Sequence, residues 1–393
     1  MTEQRKVHGM DGGLVEPDWP PLTLPELRPI LARFPYLGEP LHIVWTSPRP
    51  LSAAALVSTS REQVFVKRHH RSVRDPAGLA EEHLFLDHLL ANRVAVPLVL
   101  RDVHGETAIA IGEWTFEVHS PAPGIDLYAE SISWTPFTSA AHAHSAGATL
   151  AALHLAADSF AAPMRKVQPL VASFTIFAVN DCTAGMERYL RARPLLDRNS
   201  SVRRCAHRAL GLLAGFHAEL RPCLPYLKSL WTHNDLHCSN LLWSDTGQDA
   251  HAAAIIDFGL ADRTNAVHDL ANAIERNIVE WLTLVQHPDR PEDVPVHLDH
   301  LEALLDGYES VRPLTAHEAA ALAPMTALCH AEFALSEADY FLGPLHSEDK
   351  ARMAYDGWLV GHAAWFHTPS GQALLNAIRR RAARRAASKA VRS

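Results

Sequence analysis

Two short stretches hold residue types that cooperate in only a few reactions. They are His233-Asn234-Asp235-Leu236-His237-Cys238-Ser239-Asn240 and Ile255-Ile256-Asp257-Phe258-Gly259, with Asp257 seventeen residues after Asn240. Phosphoryl transfer needs such a set. A carboxylate must accept the proton of an attacking hydroxyl, and an Asn and a second Asp must hold magnesium against the phosphates, because positioning and charge neutralisation supply most of the catalysis. Asp235 fits the base, Asn240 and Asp257 the metal ligands, and hard oxygen donors suit magnesium rather than zinc. An Asp taken singly in a turn is ordinarily a cap or an Asx turn. The combined spacing is what points to chemistry.

These residues need elements that bring them to one cleft. The pieces SLWTHND, NLLWS and AAAIIDFG read as short strands, the last two joined as a hairpin by the turn DTGQ. An exposed loop between strands then lets Asp235 and Asn240 face one cleft while Asp257 enters from a neighbouring strand end. Upstream, LHIVW, ALVST and QVFVK, separated by SPRP and SRE, read as an antiparallel meander, with AVPLVLR, TAIAIGE and WTFEVHS as further strands. Lys67 ends the run Val64-Phe65-Val66, where its ammonium can project toward nucleotide phosphates. Residues 77 to 91 have the spacing of an amphipathic helix and offer Glu82 as a partner for Lys67. Glu81 competes for that role, and the two lie about 100 degrees apart on a helix, so only one can face the lysine. Helical patterning dominates later, over 139 to 157, 201 to 221, 267 to 287, 297 to 309, 315 to 342 and 349 to 366.

The pattern H-x-D-x-x-x-x-N followed by I-D-F-G resembles the catalytic and metal-binding loops of the aminoglycoside phosphotransferase and choline kinase superfamily, and H-N-D-L-H-x-x-N-L-L is closer to that branch than to the protein-kinase form. The resemblance spans about residues 40 to 366 and is sharpest from 231 to 272. It implies an α+β, protein-kinase-like bilobal fold: an antiparallel-sheet N-terminal lobe with one main helix, and a mainly α-helical C-terminal lobe. The expected division is an irregular N-terminal arm over 1 to 35, rich in proline, a nucleotide-binding lobe over 36 to 118, and a helical lobe over 119 to 393 with the catalytic loop and substrate pocket. It also implies ATP or another nucleoside triphosphate and Mg2+ as cofactors. His233, His237 and Asp269 would support the catalytic loop from behind, and Lys67 with Glu82 would anchor phosphates. Trp114 to Pro123 is similar to the linker between kinase lobes, so backbone groups around Glu117, Val118 and His119 would meet the adenine edge. His154, in an L-A-x-L-H pattern, reads as a packing residue. One departure stands out: the loop that should cover the phosphates, Ser47 to Ala55, has no glycine, whereas glycines let backbone amides approach phosphate closely. Ser52 to Ala55 and Arg49 could line the phosphates; a plain surface turn is the alternative.

The expected activity is transfer of the γ-phosphate of ATP to a hydroxyl of a small molecule such as an amino sugar or amino alcohol. A protein Ser/Thr kinase of the same fold is the alternative, but Asp257 is followed too soon by a helical pattern for a long activation segment. A catalytically dead nucleotide-binding protein is the third reading. With 48% hydrophobic and 20% charged residues, the composition excludes disordered and fibrous classes. Five cysteines without a C-x-x-C spacing fit a reducing compartment. The 25 histidines include the pairs His69/His70 and His142/His144 but no H-E-x-x-H or His/Cys ligand pattern, so no transition metal is expected. No apolar run reaches the roughly 20 residues of a membrane span, and the first residues do not resemble a secretion signal. A cytoplasmic monomer or homodimer is expected, with no membrane and no nucleic-acid partner. The formal charge of -8 suits a cationic substrate. Residues 379 to 393 hold seven Lys and Arg and no acid, which reads as a solvated helix end. Asp126, Glu130, Glu275, Glu332 and Asp339 are acids that could receive amines.

Overall fold

The computed structural model describes residues 6–8, 13–51 and 53–392, with side chains up to residue 387. Ser52, proposed above to line phosphates, and the first five residues lie outside the described residues, as do the side chains at the end of the basic tail.

The meander forms as its alternation requires. Strands Pro40–Thr46, Ala53–Thr59, Gln63–His70, Trp114–His119 and Ile109–Ile111 lie in that spatial order, every neighbour antiparallel. Val57, Val64, Val66, Phe116 and Val118 join one buried cluster with Leu27, Ile30 and Leu31. Because side chains alternate across a strand, Lys67 projects from the face opposite Val64 and Val66. The helix Pro76–Ala91 starts where Asp75 accepts a hydrogen bond from the Gly78 N–H at 2.7 Å and Pro76 occupies a first-turn position. Its Phe85, Leu86 and Leu89 pack into the large core of the helical part.

That part is built from helices including Ala140–Ala157, Ser200–Leu220, Ala266–Ile278, Leu298–Val311, Ala316–Leu328, His330–Leu342 and Pro369–Arg392. Two small antiparallel sheets sit among them. Leu241–Trp243 pairs with Ala252–Ile255, the expected hairpin, and Ser229–Thr232 pairs with Asp262–Asn265. The chain is thus α+β, an antiparallel sheet with one long helix followed by a helical body, as the sequence implies.

Three local expectations change. The proline-rich arm is not irregular throughout: Leu24–Leu31 is a helix, with Pro25 in its first turn, where no N–H is needed. AVPLVLR is no full strand; Pro97 cannot donate, and the segment meets the sheet at a Val99–His119 bridge, where the Leu100 N–H donates to the Val118 carbonyl and the Ser120 N–H to the Leu98 carbonyl. A helix at Cys182–Arg191, capped by Asp181, escaped the periodicity reading. Among the described residues, no helix is long and apolar enough to cross a membrane.

Candidate active site

The loop after strand Ser229–Thr232 turns sharply because Asn234 takes a left-handed conformation, φ 61°. Asp269, at the start of helix Ala266–Ile278, holds that turn by accepting both the His233 N–H at 2.9 Å and the Asn234 N–H at 2.7 Å. Burial alone would raise the Asp269 pKa, but hydrogen bonds from His154 and the loop hold it below the ordinary value. His154 is therefore more than packing, since it links Asp269 at 3.0 Å to Tyr308 at 2.8 Å. His233 is buried, contacts the Ile256 carbonyl at 3.0 Å through Nε2, and accepts the Asp235 N–H through Nδ1 at 3.1 Å. Desolvation lowers its pKa, so it stays neutral, as an accepting Nδ1 requires. Asp269 and His233 thus both contact the loop backbone.

Asp235 points into the cleft. The Asn240 amide donates to its carbonyl at 2.9 Å and to Oδ2 at 3.2 Å, which leaves the Asn240 side-chain oxygen for a cation. Asp257 also adopts a left-handed backbone, φ 63°, and its Oδ1 accepts from Lys67 Nζ at 2.9 Å. Despite desolvation, that ammonium draws the Asp257 carboxyl down to about 2. Burial opposes charge on Lys67, but Asp257, Glu117 and Glu82 outweigh it and raise its pKa. Lys67, Asp235, His237, Asn240 and Asp257 line one cleft together with Arg49, Trp134, Phe333 and Glu337. His237 lies 3.9 Å from Asp235, and burial pushes its pKa down to about 3.

Other expected roles meet a different geometry. Glu82 is buried and Glu81 partly exposed, so the helix turns Glu82 inward. No Lys67–Glu82 ion pair forms among the described residues; Glu82 instead lies 3.7 Å from Arg165, with Glu81 at 3.8 Å from the same guanidinium. The physical reason is that buried Arg165 needs acids beside it, whereas Lys67 reaches the carboxylate across the cleft. Glu117, Val118 and His119 are not a free linker edge. They belong to strand Trp114–His119, paired with Gln63–His70, and the Val118 carbonyl already accepts from Leu100. The Glu117 side chain meets His69 at 2.9 Å, His83 at 2.7 Å and His119 at 2.9 Å. Burial opposes its charge, yet these histidines hold its pKa well below the ordinary value.

The glycine-free loop keeps a cation in the cleft. Arg49 donates to the Ser131 carbonyl at 2.9 Å, across from its own hairpin. Of the acids considered for amines, Glu332 is engaged by Ser173, Thr175 and the Ile176 N–H, and Asp339 faces Arg193 at 3.8 Å.

Sequence reasoning missed one residue that lines the cleft, Glu337, and one buried behind it, Arg276. Arg276 is buried, ion-pairs with Asp235, and lies over Phe333 at 4.7 Å and Trp134 at 5.4 Å; desolvation lowers its pKa to about 10. Glu337 is buried with Oε2 unpartnered, and desolvation raises its pKa well above the ordinary carboxyl value. No periodicity rule separates them from neighbours on their helices; the D-L-A segment just before Arg276 was the nearest signal.

The model of the phosphotransferase enzyme family matches residues 51–314. Among solved structures, a microcompartment-associated aminopropanol kinase is similar at 17% identity, covering 85% of this chain and 95% of that one with a TM-score of 0.54. An amicoumacin kinase in complex with AMP-PNP and Ca2+ is 14% identical, covers 86% and 92%, and gives 0.52. A thermostable mutant of an aminoglycoside phosphotransferase, in ternary complex with ADP and hygromycin B, is 13% identical, covers 87% and 99%, and gives 0.51. These likenesses are likenesses of fold. No curated protein matches the sequence.

Proposed function

The chain belongs to the phosphotransferase enzyme family, and we propose that it is a kinase moving the γ-phosphate of ATP to a hydroxyl of a small molecule, such as an amino sugar or amino alcohol. One observation carries this reading: Asp235 and Asn240 from one loop, Asp257 from a second segment and Lys67 from a third line a single cleft. The adenine nucleotides bound by the amicoumacin kinase and by the aminoglycoside phosphotransferase support ATP as the donor.

Each residue then has work that its surroundings permit. Asp235 accepts the hydroxyl proton, held in place by Asn240 and Arg276. An adjacent guanidinium makes a carboxylate a weaker base but fixes its position, and phosphoryl transfer depends more on position than on base strength. Asn240 and Asp257 present oxygens that fit magnesium, which when bound would neutralise charge on the phosphates. Lys67 would exchange Asp257 for a phosphate oxygen. Arg49 would add a second cation where a glycine-rich loop offers amides. With Glu117, Val118 and His119 spent inside the sheet, the adenine edge falls to the chain just after them, Ser120 to Gly124.

The substrate end of the cleft pairs the apolar walls of Ile132, Trp134, Leu170 and Phe333 with the Glu337 carboxyl. A cationic substrate group placed there would favour ionised Glu337. The protein Ser/Thr kinase reading is disfavoured because the chain runs from Asp257 through the turn Phe258–Leu260 and strand Asp262–Asn265 straight into helix Ala266–Ile278, leaving no activation segment. An ADP-release screen with aminoglycosides, choline, amino alcohols, sugars and nucleosides tests the proposal. Magnesium-dependent ADP release with at least one acceptor supports it. ATP binding without release on any acceptor would favour the dead nucleotide-binding reading, and phosphorylation of a generic Ser/Thr peptide the protein-kinase one.

A further inference from the structure

Glu275, His330 and His362 meet inside the helical body, one layer behind the cleft. Glu275 precedes Arg276 on helix Ala266–Ile278, His330 opens helix His330–Leu342, and His362 opens helix His362–Trp365. All three are at least 97% buried. Their ligand-capable atoms lie within 4.8 Å of one another. His330 Nδ1 is 3.5 Å and His362 Nδ1 3.2 Å from Glu275 Oε1, yet neither contact has hydrogen-bond geometry. Both carboxylate oxygens and all four ring nitrogens lack a hydrogen bond, with Oε2 3.9 Å from Arg276. Six such atoms in one buried cluster would be costly, since most buried polar groups in native interiors are bonded.

A cation would engage three of these atoms, Glu275 Oε1 and the two Nδ1 nitrogens. Ligand atoms bound to zinc at about 2.0–2.1 Å in a tetrahedron sit about 3.3 Å apart, the spacing seen from Glu275 to each histidine. We propose that Glu275, His330 and His362 form a zinc site. Two imidazoles and one carboxylate are a borderline donor set that suits zinc rather than magnesium, with solvent in the fourth position. The sequence gives no hint of the site, because its ligands come from three distant helices.

The other buried cluster of this kind contrasts with it. In His83, Glu117 and His119 the histidines already bond the carboxylate at 2.7 and 2.9 Å, so those atoms satisfy each other. The zinc would join three helices directly behind Arg276 and Asn277. Asn277 bonds the Cys238 N–H at 2.9 Å and the Leu236 carbonyl at 2.8 Å, so the metal would brace the Asp235 loop from the rear.

The test is metal content of the full chain after loading with one equivalent of Zn2+ and exhaustive dialysis, with affinity read by competition against a chromophoric chelator. One zinc per chain is expected, with at least about tenfold weaker binding in Glu275→Gln, His330→Gln and His362→Gln. His83→Gln should keep its zinc. Substituting Co2+ in the unaltered chain should give the intense visible bands of tetrahedral coordination, a readout independent of whether any variant folds. Zinc lost on dialysis of the unaltered chain, zinc retained undiminished in His362→Gln, or zinc lost in His83→Gln would overturn the proposal.

Discussion

Lys67 and Asp257 hold each other at 2.9 Å across the cleft, and in the proposed mechanism a bound nucleotide and its metal would part them. Each residue then spends its charge on a new partner. Asp257→Ala should abolish the magnesium dependence of ATP binding along with turnover, since it removes a hard oxygen ligand. Titrating ATP with and without magnesium checks this, and unchanged metal dependence in the variant rules Asp257 out as a ligand. Glu82 tells a different story from the one its spacing suggests. It faces inward but beside Arg165 rather than Lys67, so Lys67→Met and Glu82→Gln touch separate partners. Glu82 acts on Lys67 only through its charge, so their effects on ATP binding should add apart from a small coupling of about 0.5 kcal/mol. Calorimetry on the two single variants and the pair decides the matter. A double variant no weaker than Lys67→Met alone would show that Glu82 acts by orienting the lysine after all.

At the scale of elements, the parts of the site that could be read from the sequence are those whose geometry is local. Asp235, Asn240 and Asp257 lie on one loop and one hairpin, and strand alternation was enough to aim Lys67. What could not be read depends on pairing between distant segments. WTFEVHS reads as a strand, as found, but giving Glu117, Val118 and His119 to the adenine edge fails because nothing in it says that Leu100 will take the Val118 carbonyl. The Glu117 hub draws its histidines from two strands and a helix. Glu337 lines the cleft, and Arg276 meets Asp235, only because of how their helices pack. One packing feature can be tested directly. Helices Ala140–Ala157 and Leu298–Val311 cross where Gly147 abuts the Leu304 carbonyl and Gly307 abuts the His144 carbonyl, with no room for a Cβ at either. Gly307→Ala must push the helices apart, and overpacking of this kind costs about 1–3 kcal/mol. Its thermal midpoint should fall, and because His154 and Tyr308 lie on the same two helices, activity should fall with it. An unchanged midpoint would mean the crossing is looser than described.

Over the whole molecule, the terminal segments fasten the body rather than trail from it. Trp19 donates to the Tyr340 hydroxyl at 2.9 Å, Asp18 pairs with Lys350, and the Asp18 N–H reaches the Pro50 carbonyl at 3.2 Å, so the arm touches both the hairpin loop and the helical body. Several described arginines of the basic tail find acids within the chain: Arg381 meets Glu302 at 2.7 Å, Asp306 at 2.8 Å and Glu309 at 2.7 Å, and Arg379 meets Glu219 at 2.8 Å. The sequence reading of a solvated helix end missed this docking because the acids sit on helices far away in the chain. Everything these segments fasten serves one cleft, and the central claim is that Asp235 in that cleft takes the proton from an acceptor hydroxyl. The measurement that tests it most directly compares Asp235→Ala with the unaltered enzyme in two readouts, ADP release with the best acceptor and magnesium–ATP affinity by calorimetry. The account predicts a loss of turnover of about a hundredfold or more, with ATP affinity nearly intact because Asp235 meets the substrate and not the nucleotide. Turnover above roughly a tenth of the unaltered rate, beyond what loss of a general base allows, would contradict it.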